Sequence, residues 1–260
     1  MRALVTGAAG FVGRALVANL IVHGWEVCCL VRRPLTPAFP QITTLTGDIT
    51  QSGLMAACRA KFGDVDAIFH LAAMMPGAGG AMDPRFVEIN AAATLRLLAG
   101  SENVGRFVYL SSISVIGLPK ESPITERHPL QPRLAYALGK LGGEQACALA
   151  RVRGRHATAL RLSSPYGPGM PSGSVLPTLL RNAIEGRPMR WHGTGSRSQD
   201  FVQVDDVAEA CRLAATATNS GTFNLGSGTG TSMRTLATTI AELVPGAEAG
   251  PSGESDPQEG

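Results

Sequence analysis

The feature that most constrains this chain is the run Thr6-Gly7-Ala8-Ala9-Gly10-Phe11-Val12-Gly13. It follows a short apolar segment at residues 3–6 and opens an amphipathic stretch at Phe11–Val22. Glycines at 7, 10 and 13 permit a tight turn, close approach of backbone to a pyrophosphate, and close packing of helix on strand. A helix that begins there turns unpaired N–H groups toward phosphate oxygens. Glycine is frequent in this chain, 31 of 260 residues, so three at this spacing could be coincidence. Their place directly between strand and helix makes dinucleotide binding the better reading, with Gly7, Gly10, Phe11, Val12 and Gly13 as the phosphate turn.

Behind this turn, strands and helices alternate. Apolar runs at Glu26–Val31, Ile42–Thr46, 66–70, 106–110 and 157–162 are separated by helical patterns near 52–61, over 84–99 and over 134–150. Continuous apolar strands between helices predict a parallel sheet covered on both faces: an α/β, Rossmann-type doubly wound fold. After Arg161 the texture changes. Residues 165–173 are crowded with proline and glycine, and 186–198 read as loop. The expected organisation is a dinucleotide-binding domain over 1–164 and a smaller, irregular substrate-binding region over 165–260. Strand-like runs at 200–204 and Thr222–Leu225 place 200–226 back in or beside the main sheet. Residues 246–260 lack periodicity and are expected to be poorly ordered.

Composition excludes several classes. With 44% apolar and 17% charged residues the chain is too apolar to be disordered, and no apolar run approaches the roughly 18 residues of a membrane span. A net charge of +3 with no basic stripe gives nucleic acid no support; Arg151, Arg153, Arg155 and His156 read as an exposed turn. Five cysteines (Cys28, Cys29, Cys58, Cys147, Cys211) without a C-x-x-C suit reduced thiols in a cytoplasmic protein. The histidines lack ligand spacing, so no metal is expected. The early first strand leaves no room for a signal peptide.

Three further groups of residues carry chemistry. The second strand ends in Arg32 and Arg33, where an NAD enzyme would place a carboxylate for the ribose 2′-OH. An arginine pair can instead receive a 2′-phosphate, which favours NADP over NAD; the plain alternative is two solvated arginines. Tyr136 and Lys140 stand four residues apart, on one helix face. A neighbouring ammonium favours the phenolate, so the tyrosine could move a proton to or from a substrate hydroxyl while hydride passes to or from a nicotinamide. Ser111 and Ser112 end a strand at the crevice where such folds bind ligands. Ser112 is read as holding the reacting oxygen, and Ser111 and Ser114 as turn caps.

Together these residues resemble the extended short-chain dehydrogenase/reductase family, which includes the nucleotide-sugar epimerases and dehydratases. The likeness covers nearly the whole chain: Thr6 to Gly13, Gly47-Asp48-Ile49, His70 to Ala73, Asn90, Ser111-Ser112, Tyr136 with Lys140, Arg161 to Gly169, Asp200 to Asp206, and Phe223 to Gly226. The resemblance implies a catalytic Ser112, Tyr136 and Lys140, with Lys140 also holding the nicotinamide ribose. It places Asp48 and Ile49 by the adenine, Leu71, Ala72 and Ala73 along the cofactor, and Asn90 among the cofactor residues. It implies that 163–197 form much of the substrate pocket, with Ser112, Ser164, Tyr166 and Arg197 as contacts. It also implies a homodimer through the helices at 84–99 and 134–150, and a substrate region that continues for several tens of residues past the point matching Pro245.

Departures from the family pattern narrow the function. Dehydratases of the family carry an Asp-Glu pair where this chain has Ile113 and Ser114, which argues against dehydration. Ser164 stands where sugar-nucleotide enzymes commonly show Asn. Gln199 stands where they show Arg, with Arg197 two residues earlier and able to meet a diphosphate through its planar fork. Leu134 stands where a serine or threonine is frequent. The expected function is an NAD(P)-dependent enzyme acting on a secondary alcohol or ketone, a nucleotide-sugar epimerase or a ketoreductase. Tyr166 to Gly169 and Gly193 to Gly195 tilt toward nucleotide sugars, the arginine pair toward a reductase. A reductase of a non-sugar carbonyl is an alternative; a non-catalytic dinucleotide sensor, the other, would be expected to lose Tyr136 and Lys140.

Overall fold

The computed structural model describes residues 1–33, 42–77 and 80–256. The first half runs β1 (Arg2–Thr6), α1 (Phe11–Val22), β2 (Glu26–Val31), β3 (Ile42–Thr46), α2 (Leu54–Phe62), β4 (Ala67–His70) and α3 (Arg85–Val87). A π turn (Glu88–Ala92) leads into α4 (Ala93–Ala99). Then follow β5 (Arg106–Ser112), a 3-10 turn (Ile113–Ile116), α5 (Ala135–Val152) and β6 (His156–Leu162). Beyond these come β7 (Ser164–Tyr166), α6 (Val175–Ile184), β8 (Met189–Trp191), β9 (Ser198–Gln203), α7 (Val204–Thr216), β10 (Thr222–Leu225), β11 (Gly230–Ser232), α8 (Met233–Leu243) and β12 (Ala249–Pro251).

Seven strands form one sheet in the order β10-β6-β5-β4-β1-β2-β3, with every pairing parallel. This is the doubly wound α/β architecture that the alternating pattern predicts, and the strand order reverses between β1 and β4. Ala3, Leu4 and Val5, and Ala67, Ile68 and Phe69, are inaccessible to solvent because helices cover both faces. On one face Leu4, Ile68, Phe107 and Tyr109 pack with Cys58, Leu97 and Cys147. α1 packs with α7. The five cysteines are free and buried. Among the described residues no helix is long and apolar enough to cross a membrane.

The chain divides into two compact units: residues 1–162 with 204–225, and 163–203 with 226–260. The division falls after Leu162 because β7 leaves the main sheet to pair with β9, Ser164 opposite Phe201 and Tyr166 opposite Gln203. Of the two strands expected to return to the main sheet, Thr222–Leu225 does so beside β6. Ser198–Gln203 does not; it joins β7 and β11 in a three-stranded sheet. Only Val202 on it is fully buried, whereas a strand inside a covered parallel sheet must be apolar on both faces. The expected disorder of 246–260 is also corrected. Ala249–Pro251 pairs in parallel with Met189–Trp191, and Gly193 N–H donates to the Glu254 carbonyl. Glycine and proline serve here as a short edge strand, not a tail; residues 257–260 lie outside the described residues.

Candidate functional site

The turn after β1 is built around missing side chains. Gly7 has φ +73°, and a Cβ there would lie 2.6 Å from the Ala72 nitrogen. A Cβ on Gly13 would lie 2.1 Å from the Gly7 carbonyl oxygen. Gly10 precedes α1 with no side chain capping the helix's first N–H groups. The result is a cradle of bare backbone at a helix N-terminus, which fits a dinucleotide pyrophosphate. Leu71, Ala72 and Ala73 follow the neighbouring strand β4, and Arg32 and Arg33 are exposed at the end of β2. Asp48 stands after β3 and is half-buried. Its carboxylate accepts the Thr50 N–H at 2.8 Å and hydroxyl at 2.7 Å. Those bonds, with a smaller pull from Arg32, hold its pKa below the usual carboxylate value. Ile49 packs against the core beneath.

A buried chain of hydrogen bonds fixes the loop after β4. Ala72 N–H donates to Thr6 Oγ1 at 3.2 Å, and Thr6 Oγ1 lies 2.7 Å from His70 Nδ1. His70 Nε2 lies 2.9 Å from Thr94 Oγ1, which donates to the Asn90 carbonyl at 2.8 Å. Because Thr94 spends its proton on Asn90, the network assigns the imidazole proton to Nε2 and makes Nδ1 the acceptor. Burial, with Lys140 nearby, pulls the His70 pKa down to about 3, so the ring is neutral. Asn90 is fully buried. Its side-chain oxygen accepts Met74 N–H at 2.8 Å and its amide donates to the Met74 carbonyl at 3.1 Å. These two bonds hold the loop that carries Leu71, Ala72 and Ala73 in place.

Ser112, Tyr136 and Lys140 come together where β5 ends and α5 begins. Ser112 Oγ accepts from Ser114 N–H at 3.2 Å and from Ser114 Oγ at 2.9 Å. Its own proton is thereby left to donate, and it hydrogen-bonds Tyr136. Tyr136 packs its ring edge-on against Phe86, centroids 6.0 Å apart. Burial raises the Tyr136 pKa while the Ser112 bond acts downward, so the depressed phenol expected from the Lys140 ammonium is not what the protein supplies alone. Lys140 is buried, donates Nζ–H to the Leu110 carbonyl at 2.7 Å, and lies 5.0 Å from the Tyr109 ring centroid. Burial lowers its pKa to about 7, with Glu144 acting upward.

Ser111 does not cap a turn. It is buried and donates its hydroxyl to Glu144 Oε1 at 2.6 Å. Successive residues on a strand point to opposite faces, so the first serine of the pair turns under α5 while the second faces the site. Glu144 also takes three bonds from Arg161, Nε to Oε1 at 3.1 Å and to Oε2 at 3.2 Å, and Nη2 to Oε2 at 2.8 Å. Both partners are almost wholly buried; leaving one of such a pair uncompensated costs about 3–5 kcal/mol. Sequence reasoning missed Glu144. The signal was present, since Tyr136, Lys140 and Glu144 repeat every four residues on one helix face.

The remaining expected contacts belong to the second unit. Ser164 and Tyr166 lie on β7 and are half-buried, and the Tyr166 ring meets Phe201 edge-on at 6.4 Å. Arg197, read as a diphosphate partner, forms an ion pair with Asp256, Nε to Oδ2 at 3.0 Å. That carboxylate lies in the segment expected to be disordered, and so was not anticipated. Asp200 accepts the N–H groups of Ser227 and Gly228 at 2.7 and 2.9 Å, closing the turn after β10.

The model of the NAD dependent epimerase/dehydratase family matches residues 3–226. The chain is 33% identical over 266 residues to the UDP-glucose 4-epimerase of Mycolicibacterium smegmatis, covering 94% of this chain and 83% of that one. It is 42% identical over 230 residues to the 3 beta-hydroxysteroid dehydrogenase/Delta 5-->4-isomerase of Mycobacterium tuberculosis, covering 82% of this chain and 60% of the other. The solved UDP-glucose 4-epimerase of Thermus thermophilus in complex with NAD superposes with a TM-score of 0.84 at 26% identity, covering 99% of this chain and 88% of that chain.

Proposed function

The chain belongs to the NAD-dependent epimerase/dehydratase family, within the extended short-chain dehydrogenases/reductases, and from that membership we propose that it is a nucleotide-sugar epimerase. The observation that carries this reading is the grouping of Ser112, Tyr136 and Lys140 at the C-terminal end of the sheet that also bears the bare phosphate turn. Residues 7–13 would hold the pyrophosphate, Leu71 to Ala73 would flank the dinucleotide, and Lys140 would hold the nicotinamide ribose. When bound, the nicotinamide supplies a hydride acceptor and donor. Tyr136 would take the proton from the substrate hydroxyl, and Ser112 would donate to the reacting oxygen. The keto sugar would turn over to present its other face, and Tyr136 would give its proton back to the same oxygen. Tyr136 needs positive charge to act as a base, because burial alone keeps it protonated; the Lys140 ammonium and an oxidised nicotinamide would supply it. Ile113 and Ser114, in place of the acid-base pair of the dehydratases, favour epimerisation over elimination.

A second reading is favoured by the Arg197–Asp256 ion pair. An arginine already facing a carboxylate is a poorer diphosphate partner, which supports a non-sugar hydroxyl or carbonyl substrate. One experiment separates the two. The protein is purified, its retained dinucleotide identified by mass spectrometry, and the sample incubated with UDP-glucose or, with added dinucleotide, a 3β-hydroxysteroid. A retained dinucleotide and formation of the C4 epimer are expected. Oxidation of the steroid with no sugar turnover would replace the first reading by the second, and no turnover of either with intact dinucleotide binding would favour a sensor.

The preference for NADP rests on Arg32 and Arg33, exposed after β2 with no carboxylate beside them on that strand. Calorimetric titration is expected to give tighter binding of NADP than NAD, and Arg32→Ala to remove about tenfold of that difference. A wild-type preference for NAD would overturn the assignment. We place the protein as a homodimer through α3–α4 and α5, supported by exposed Leu95, Leu138 and Leu149 on those helices. The buried free thiols support a reducing compartment such as the cytoplasm.

A further inference from the structure

We propose that Glu144 is a positioning residue for the reaction: one helical turn beyond Lys140, and fixed by Ser111 and Arg161, its carboxylate keeps the Lys140 side chain an ammonium. The inference rests on the reading that Tyr136 and Lys140 carry the chemistry.

The surroundings of Lys140 come from three elements. β5 contributes the Leu110 carbonyl at 2.7 Å and the face of Tyr109 at 5.0 Å. β4 contributes His70, which is neutral and offers no counter-charge. α5 contributes Tyr136 on one side and Glu144 on the other, each four residues away on the same helix face. Among these described groups Glu144 is the carboxylate. It cannot swing away, because Ser111 holds Oε1 from β5 and Arg161 holds both oxygens from β6. Arg161 spends its hydrogen bonds on Glu144 and, at 3.4 Å, on the Glu126 carbonyl.

The placement matters because burial already brings Lys140 close to losing its proton near neutrality, and Glu144 acts in the opposite direction. A neutral Lys140 would no longer favour the Tyr136 phenolate, and burial would then keep Tyr136 protonated. The sign is therefore fixed. Removing the carboxylate lowers the pH at which Lys140 deprotonates, and moves the alkaline loss of activity downward.

The chain contains three lysines, and the other two, Lys61 and Lys120, are exposed. Lysine labelled with 13C at Cε can thus be titrated by NMR with two internal references. In Glu144→Gln the Lys140 midpoint is expected to fall by about one pH unit, and the alkaline limb of the kcat profile to fall with it. Should that variant fail to fold because Arg161 is left uncompensated, Glu144→Gln with Arg161→Gln removes both charges, and the midpoint is expected to fall in the same direction by a smaller amount, since the lost guanidinium acts the other way. A structural ion pair would instead depress kcat at every pH and leave the midpoint in place, and an unmoved midpoint in either folded variant overturns the proposal. A midpoint that moves without the kcat limb overturns it too. The NMR midpoint does not depend on turnover, so it is read separately from any failure of the epimerase assignment.

Discussion

Tyr136→Phe is expected to cut turnover by about 10²- to 10⁴-fold, the usual contribution of a positioned acid-base group, while leaving dinucleotide affinity within about twofold of wild type. The substitution removes one oxygen and keeps the ring that packs edge-on against Phe86, so α5 has no reason to shift. Lys140 keeps its bond to the Leu110 carbonyl, and Ser112 still accepts from Ser114. What is lost is the group that exchanges a proton with the substrate hydroxyl. Steady-state kinetics on whichever substrate turns over, with calorimetric titration of the dinucleotide, reads both effects. Undiminished turnover would remove Tyr136 from the mechanism, and a parallel loss of dinucleotide binding would show that the phenol acts on the fold.

Gly13→Ala should have the largest effect on binding. Its Cβ would be forced to within 2.1 Å of the Gly7 carbonyl oxygen and 2.9 Å of the Ala8 Cα. Both neighbours are backbone, so the strain can be relieved only by moving α1 off the turn. Overpacking of this kind costs about 1–3 kcal/mol, and the displaced helix no longer offers its N–H groups in register. A fall of about 100-fold in dinucleotide affinity is expected, together with a lower Tm. Gly10→Ala is the control for the fall in Tm, since its Cβ would lie 3.2 Å from the same oxygen and needs only a small adjustment. Equal losses of Tm in the two variants would mean that the close approach at Gly13 is not what strains the turn.

Features that depend on short-range pattern were legible before the structure. The glycine turn, the doubly covered strands and the Tyr136–Lys140 spacing each follow from a local period or a backbone requirement. What escaped were pairings between residues far apart in sequence. Ser111 reads as a cap in isolation, and only the approach of α5 and β6 reveals its partner Glu144. The bonds from both ends of the Asn90 amide to Met74, sixteen residues away, were likewise invisible in the local pattern. Ser198–Gln203 carries a strand signal, but nothing local says which sheet receives it. The tail strand Ala249–Pro251 was hidden for the opposite reason: its three residues form a strand only because Met189–Trp191 offers an edge.

The π turn between α3 and α4 has a bearing on how this chain can vary. An α-helix rotates by about 100° per residue, and a π turn accommodates one residue more than an α turn. The two halves of the segment are therefore out of phase with a continuous helix. Phe86 faces Tyr136 from one half, and Leu97 and Leu98 face the sheet from the other. Between them the Asn90 carbonyl receives hydroxyls from both Thr94 and Tyr109. The extra residue works as a keyed coupling, setting the angular offset at which the half near Tyr136 and the half in the core both fit. A change in the length of 85–99 by a single residue would rotate one half away from its seat.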